Sequence, residues 1–287
     1  MSGVMARLLP CGTRLHLQHG PIDLVIGAEG ARAAAFAAAK AAMSGLLQAL
    51  VDELDLLREP IAPDGPAPAG PVARRMHRAA LCHAQGPFVT PMAAVAGSVA
   101  DHVLLAMTEA APLSRAYVNN GGDIALHLDA GTRYRTAIAD ATGLLLGQID
   151  IAADDCVRGI ATSGRHGRSL SRGIADSVTV IAPTAAAADV AATLIANAVD
   201  LPGHPAICRR PACSVIDGSD LGSLPVVTDC GPLGAAEIDT ALAAGHAVAR
   251  GMIRRGLISG AALFLQGRSA TTRHTALTLS QRTPEHA

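Results

Sequence analysis

Apolar and polar positions change period several times along this chain, and each change predicts an element. Arg14-Leu15-His16-Leu17 and Asp23-Leu24-Val25-Ile26 alternate or run apolar around His19-Gly20-Pro21, which predicts two short strands joined by a turn. Residues 31–57 switch to helical spacing, with Phe36, Ala39, Met43, Leu46, Leu47, Leu50 and Leu54 recurring and Gly45 the lone interruption, which predicts one long amphipathic helix. Five prolines and two glycines over residues 59–71 then force a loop. Helical spacing returns over 72–83 and 91–109, the second stretch placing Val95, Val99, His102, Val103 and Ala106 on one face. Strands are expected at 117–118, at Ile124-Ala125-Leu126-His127-Leu128, and at 134–138, 147–152 and 177–182. A helix starting beyond Pro183 covers 185–199, a second covers 234–257, and a strand over 261–266 precedes a polar tail. Long helices mixed irregularly with hairpin-like strands favour an α+β fold, with mixed antiparallel sheets and long packed helices, over a regularly wound parallel sheet. One domain is expected over 1–267, followed by a C-terminal tail over 268–287.

Composition narrows the partners. Half of the 287 residues are apolar, yet the aromatics are three Phe and two Tyr with no Trp, so Ala, Val, Leu and Ile must build the core. Stacking of bases on aromatic rings is thereby disfavoured. The 23 basic and 24 acidic side chains nearly cancel, and no basic run supplies the footprint a nucleic acid or an anionic membrane needs. A small molecule or a protein is the expected partner. Met1-Ser2-Gly3-Val4-Met5-Ala6-Arg7 is followed by Pro10 and Gly12 instead of an apolar secretion core, and residues 177–201 are broken by Pro183, Asp189, Asn197 and Asp200, so a cytoplasmic location is expected. The six cysteines lack paired spacing and read as free thiols.

Three stretches carry chemistry. Asn119-Asn120-Gly121-Gly122-Asp123 lies between strand-like runs, where glycines would let a ligand approach the main chain beside an accepting carboxylate, or simply make a tight turn. Asp189 and Thr193 stand four apart on a helix, so two oxygens share a face that a hard cation would suit, or Asp189 serves its own helix and Thr193 packs. Ala161-Thr162-Ser163-Gly164 reads as a small-residue turn followed by Arg165, His166, Arg168 and Arg172, which would complement phosphate or remain solvated. No dinucleotide or P-loop glycine signature occurs.

In their order along the chain, Val95-Ala96-Gly97-Ser98-Val99-Ala100-Asp101, Tyr117-Val118-Asn119-Asn120-Gly121-Gly122-Asp123-Ile124, Ala161-Thr162-Ser163-Gly164, Asp176-Ser177-Val178-Thr179-Val180 and Ala188-Asp189-Val190-Ala191-Ala192-Thr193 resemble the ApbE-like FAD:protein FMN transferase superfamily, nearest an uncharacterised soluble branch. The resemblance implies a fold related to the tunnelling fold, and Mg²⁺-dependent transfer of FMN from FAD to a Ser or Thr hydroxyl of an acceptor protein. It implies Asp189, Thr193 and the carbonyl of Val95 as metal ligands. Asn119, Asn120, Gly121, Gly122 and Asp123, with Thr162, Ser163 and Gly164, would line the nucleotide pocket. Asp101 falls on the acidic position that ends the family's A-K-G-Y-A-x-D helix and is expected beside the glycine loop. Asp189 and Thr193 are expected to open on the cavity of Gly121, Gly122 and Asp123, with Asp189 dispensable for folding. Ala96-Gly97-Ser98 departs from the family's Lys-Gly-Tyr, and its H-I-I-D-P-x-T-G segment is unrecognisable over 169–176. Three readings follow: an Mg²⁺-dependent protein that transfers FMN or cleaves the FAD pyrophosphate, with no catalytic side chain assigned; a non-catalytic flavin or pterin binder serving cofactor biosynthesis; or a structural subunit of a homo-oligomer, suggested by the Ala-rich helix.

Overall fold

The computed structural model describes residues 3–140, 142–272 and 274–280. Strands β1 (Met5–Leu8), β2 (Arg14–His19) and β3 (Ile22–Gly30) lead into helices α1 (Arg32–Met43), α2 (Leu46–Asp52), α3 (Leu54–Arg58) and α4 (Pro71–Leu81). A 3-10 turn at Pro91–Ala94 opens α5 (Val95–Ala110). Next come β4 (Leu113–Asn120), β5 (Asp123–Leu128), β6 (Arg133–Ala139), β7 (Leu145–Ala152), β8 (Gly159–Ser163), β9 (Ser177–Ala182) and α6 (Ala185–Ala198). The chain continues through β10 (Ile207–Pro211), β11 (Pro225–Cys230), α7 (Ala235–Arg254), β12 (Gly260–Leu265), β13 (Arg268–Thr271) and β14 (Leu277–Leu279).

Nine of these strands form one sheet in the order β1-β2-β3-β4-β5-β8-β9-β12-β13. Every neighbouring pair in it is antiparallel, and the strands keep their chain order. Two excursions leave the sheet: β6–β7, which joins β14 in a three-stranded sheet, and the β10–β11 ribbon. The period-2 pleat assigns side chains to opposite faces. Leu15, Leu17, Val118, Ala125, Ala161, Val178, Val180 and Leu263 pack under the helices, whereas Ile124, Leu126, Ile160, Ile181 and Phe264 meet Ile138, Ile149 and Ile151 of the small sheet. The fold is therefore a large antiparallel sheet with helices on one face and a small sheet on the other, as the α+β expectation required.

Small side chains let α5 and α6 touch. A Cβ on Gly97 would lie 2.3 Å from the carbonyl oxygen of Ala185. At this crossing each helix satisfies the other's N-terminal N–H groups, which a helix cannot pair internally. Asp101 of α5 accepts from Ala185 N (3.1 Å) and Ala186 N (3.0 Å), Thr184 Oγ1 takes Ala187 N (3.1 Å), and Asp189 of α6 accepts from Gly97 N at 2.9 Å.

Three expectations need correction. The helix expected over 31–57 is three helices, because Gly45 takes a left-handed φ of 72° and Glu53 leaves the helical region at φ −109°. Ala161-Thr162-Ser163 is not a turn but the end of β8, paired with β9. The tail expected from 268 is strand over Arg268–Thr271, paired with β12, and over Leu277–Leu279, paired with β7; residues 281–287 lie outside the described ones. Among the described residues, two helical stretches, Arg32–Asp52 and Pro91–Ala110, are long and apolar enough to cross a membrane; residues 177–201 are not one of them, and α1 and α5 pack on each other.

Gly97→Ala should separate α5 from α6 and cost about 1–3 kcal/mol, the usual cost of overpacking. Asp101→Ala should cost roughly 0.5–2 kcal/mol as a lost helix cap, and Asp101→Asn, which keeps one acceptor oxygen, should cost less. Urea unfolding of the three variants checks this; equal stability of Asp101→Ala and the parent chain would remove the capping role.

Candidate functional site

The glycine stretch is first of all a turn. Gly121 and Gly122 both have positive φ (67° and 113°) and join β4 to β5 with Asn120 opposite Asp123, the geometry of a tight two-residue hairpin. Gly122 N donates to Asn119 Oδ1 at 2.8 Å, so that N–H is already occupied. Asn120 is buried and donates from Nδ2 to the Ala96 carbonyl at 3.1 Å, pinning the turn to the start of α5.

A cavity of about 720 Å³ opens between the two sheets beside this turn, within the size range of small-molecule sites. The large sheet contributes Asn119, Gly121, Gly122, Ile124, Thr162, Ser163 and Phe264, with Gly164 just past β8; the small sheet contributes Thr136, Ile138, Leu146 and Ile149. The sequence pointed to the first wall. It gave no sign of the second, whose residues come from strands with no unusual composition.

Asp123 faces the other way. It shares the parity of Ala125, so the pleat turns it towards the helices, where its Oδ1 accepts from Thr162 N at 3.3 Å. Burial pushes its carboxyl up to about 7, while Thr162 N–H and the Arg168 guanidinium pull against that. Asp189 is raised well above the ordinary carboxylate range, first by burial and then by the charge of Asp123, with the Gly97 and Ala96 N–H groups opposing. Buried Asp123 and half-buried Asp189 thus form an acid pair beside the turn that faces the cavity.

Several expected ligands land elsewhere. Asp189 and Thr193 share one face of α6, but neither they nor Asp123 line the 720 Å³ cavity; Asp123 adjoins it only through the Gly121–Gly122 turn. Asp101 is not on the glycine loop; it caps α6. Asp189 also accepts from Gly97 N at the α5 N-terminus, a structural contact beside any ligand role. Ser98, at the family's aromatic position, is fully buried and its Oγ has no partner.

The basic residues also sort themselves. Arg165 pairs with Asp176 at 2.9 Å, and His166 Nε2 lies 3.3 Å from the same carboxylate. Arg268 pairs with Asp239 at 3.0 Å. Arg168 reaches over the turn, so close that a Cβ on Gly121 would meet its Nη2 at 2.1 Å, and no ion pair holds it among the described residues. Arg172 is far from this cavity and lines another. No cluster of three or more His, Cys, Asp or Glu occurs among the described residues, so a cation would rest on the acid pair and hydroxyl or main-chain oxygens.

Among solved structures, the apo flavinyl transferase ApbE of Pseudomonas stutzeri overlaps 96% of each chain at 12% identity with a TM-score of 0.45, a likeness too low to carry an argument. A UPF0280 protein of Methanothrix thermoacetophila is 36% identical over 164 residues, 56% of this chain and 65% of that protein. A UPF0280 protein of Methanosphaerula palustris is 38% identical over 165 residues, again 56% and 65% of the two chains. The chain thus spans less than two thirds of the length of these curated relatives. The family model described as AbpE bacteria matches residues 6–271, from β1 through β13, and the chain belongs to that family.

Proposed function

We propose that this protein binds a flavin nucleotide in the inter-sheet cavity with the help of Mg²⁺, and that it acts on the FAD pyrophosphate. The observation that carries the reading is the Asp123–Asp189 pair, the first buried and the second half-buried, beside the Gly121–Gly122 turn. Burial raises the proton affinity of Asp123, burial and the charge of Asp123 raise that of Asp189, and a hard divalent cation with oxygen ligands would supply the counter-charge. Asp123, Asp189 and the Thr193 hydroxyl are the groups that would hold the ion. When bound, it offsets phosphate charge.

The cavity itself supports the need for a cation. Its wall carries Asp140, Asp176 and Asp239, and its basic members Arg268 and His166 are taken up by Asp239 and Asp176, so they are not free to meet a phosphate. Among the described residues, Arg168 is the cation beside the turn that no ion pair holds, and it would meet a phosphate oxygen. Ile124, Ile138, Ile149 and Phe264 offer an apolar bed for a fused ring. In transfer, an acceptor hydroxyl oxygen bonds to the flavin-side phosphorus, the bond to the bridging oxygen breaks, AMP leaves with that oxygen and the hydroxyl proton is released. In cleavage, water takes the place of the hydroxyl. A second reading, flavin or pterin binding without turnover, is favoured by Ser98, whose buried hydroxyl replaces the family's ring and reaches nothing.

Incubation with FAD and Mg²⁺ should release AMP, measured by chromatography; FAD bound without AMP would select the second reading, and no FAD binding would end both. Asp189→Asn keeps an acceptor for Gly97 N–H, so it should fold while losing Mg²⁺-dependent binding by at least about tenfold. Unchanged binding in that variant would remove Asp189 from the site.

Both acids have folded pKa values above the ordinary 3.8, so the folded chain holds more protons than the unfolded chain as pH rises past that value. Stability should therefore fall between about pH 4 and pH 7 in chelator, and Mg²⁺ should restore it near neutrality but not in acid. Melting temperatures with and without Mg²⁺ across this range, in the parent and in Asp189→Asn, check the sign.

A further inference from the structure

A second cavity, of about 590 Å³, lies on the helical face of the large sheet, away from the inter-sheet site. It is closed by the C-terminal ends of α6 and α7, the loop after α4 and the β10–β11 ribbon. Leu194, Phe88, Val248 and Met252 give it an apolar wall. Arg172, Arg209, Arg255 and His83 give it a basic rim, against one acid, Asp200.

The charges divide clearly. Arg209 pairs with Asp200 and donates from Nη1 to the Arg172 carbonyl at 2.6 Å. Arg255 donates to the Cys82 carbonyl at the end of α4. Burial, followed by the charge of Arg255, lowers His83 to about 4, so it is a neutral ring near pH 7. Arg172 and Arg255 both lack a carboxylate partner among the described residues, and Arg172 differs in that its Nε is buried with no acceptor.

The backbone holds that arginine in place. Arg172 N donates to Asn197 Oδ1 at 2.9 Å, its carbonyl is taken by Arg209, and a Cβ on the next residue, Gly173, would lie 2.1 Å from the Ala196 carbonyl oxygen. A cation with an anchored backbone beside an apolar wall has the features of a built receptor. Nε is closed off, but a guanidinium also offers its two Nη groups as a planar fork, which a carboxylate matches with two parallel hydrogen bonds.

We propose that this cavity is a second ligand site, specific for a small carboxylic acid with an apolar body, whose carboxylate is held by Arg172 while its body lies against Leu194, Val248 and Met252. The site is independent of the flavin reading, since it shares no lining residue with the inter-sheet cavity.

Calorimetric titration of the full chain in chelator, with benzoate, phenyl phosphate, inorganic phosphate and benzyl alcohol as probes, tests it. Benzoate should saturate one site in about the millimolar range or below, benzyl alcohol should not bind, and phenyl phosphate should bind more weakly than benzoate. Arg172→Gln should weaken benzoate by about tenfold or more with an unchanged melting temperature, Arg172→Lys should weaken it less, and Asp189→Asn should leave it unaltered. No saturable benzoate binding, tighter binding of either phosphate probe, or benzoate affinity unchanged in Arg172→Gln would each overturn the proposal.

Discussion

The crossing of α5 and α6 is the constraint on which the rest of the structure depends. A chain this poor in aromatics cannot fill wide gaps between its layers, so its helices must come close, and Gly97 against the Ala185 backbone sets that approach. Closeness then permits the exchange of carboxylates, Asp101 to one helix start and Asp189 to the other. Helix caps contribute about 0.5–2 kcal/mol each, and domains are held by only about 5–15 kcal/mol in all, so the two caps are a large share of the margin. The same exchange carries Asp189 to Asp123, because α6 follows β9 directly and lies over β5 and β8. One residue therefore serves the fold and the candidate site together.

Much of this was legible in the order of residues. Periodicity located the large helices, and the paired glycines announced the β4–β5 turn. What escaped has physical reasons. The helix over 31–57 breaks because Gly45 takes a conformation that helical composition does not encode. β8 was hidden because Ala161, Thr162 and Ser163 lack the bulk that marks a strand, and β1 because all four of its residues are exposed and carry no alternation. The face chosen by Asp123 was in principle readable, since it shares parity with Ala125, but parity says nothing until one knows which side the helices cover. Arg172, Arg209 and Arg255 meet only in the folded chain.

A net charge of −1 conceals a marked internal separation. The inter-sheet cavity is walled by acids whose basic neighbours are already paired, while the cavity on the helical face keeps a bare guanidinium. A sheet one strand-layer thick divides them. Overall charge governs long-range steering, but ligand choice at each cavity follows from the few groups that remain uncompensated there.

The two excursions from the large sheet have a consequence for how such a molecule can change. β6–β7 leaves between β5 and β8, β10–β11 leaves between β9 and β12, and each ribbon walls one cavity while contributing no strand to the nine. Altering the length of such a detour costs little entropy, because closure entropy grows slowly with length. The scaffold and its recognition surfaces are thus written in separate stretches of chain, so the ribbons can be exchanged to redirect what is bound while the register of the sheet is inherited unaltered.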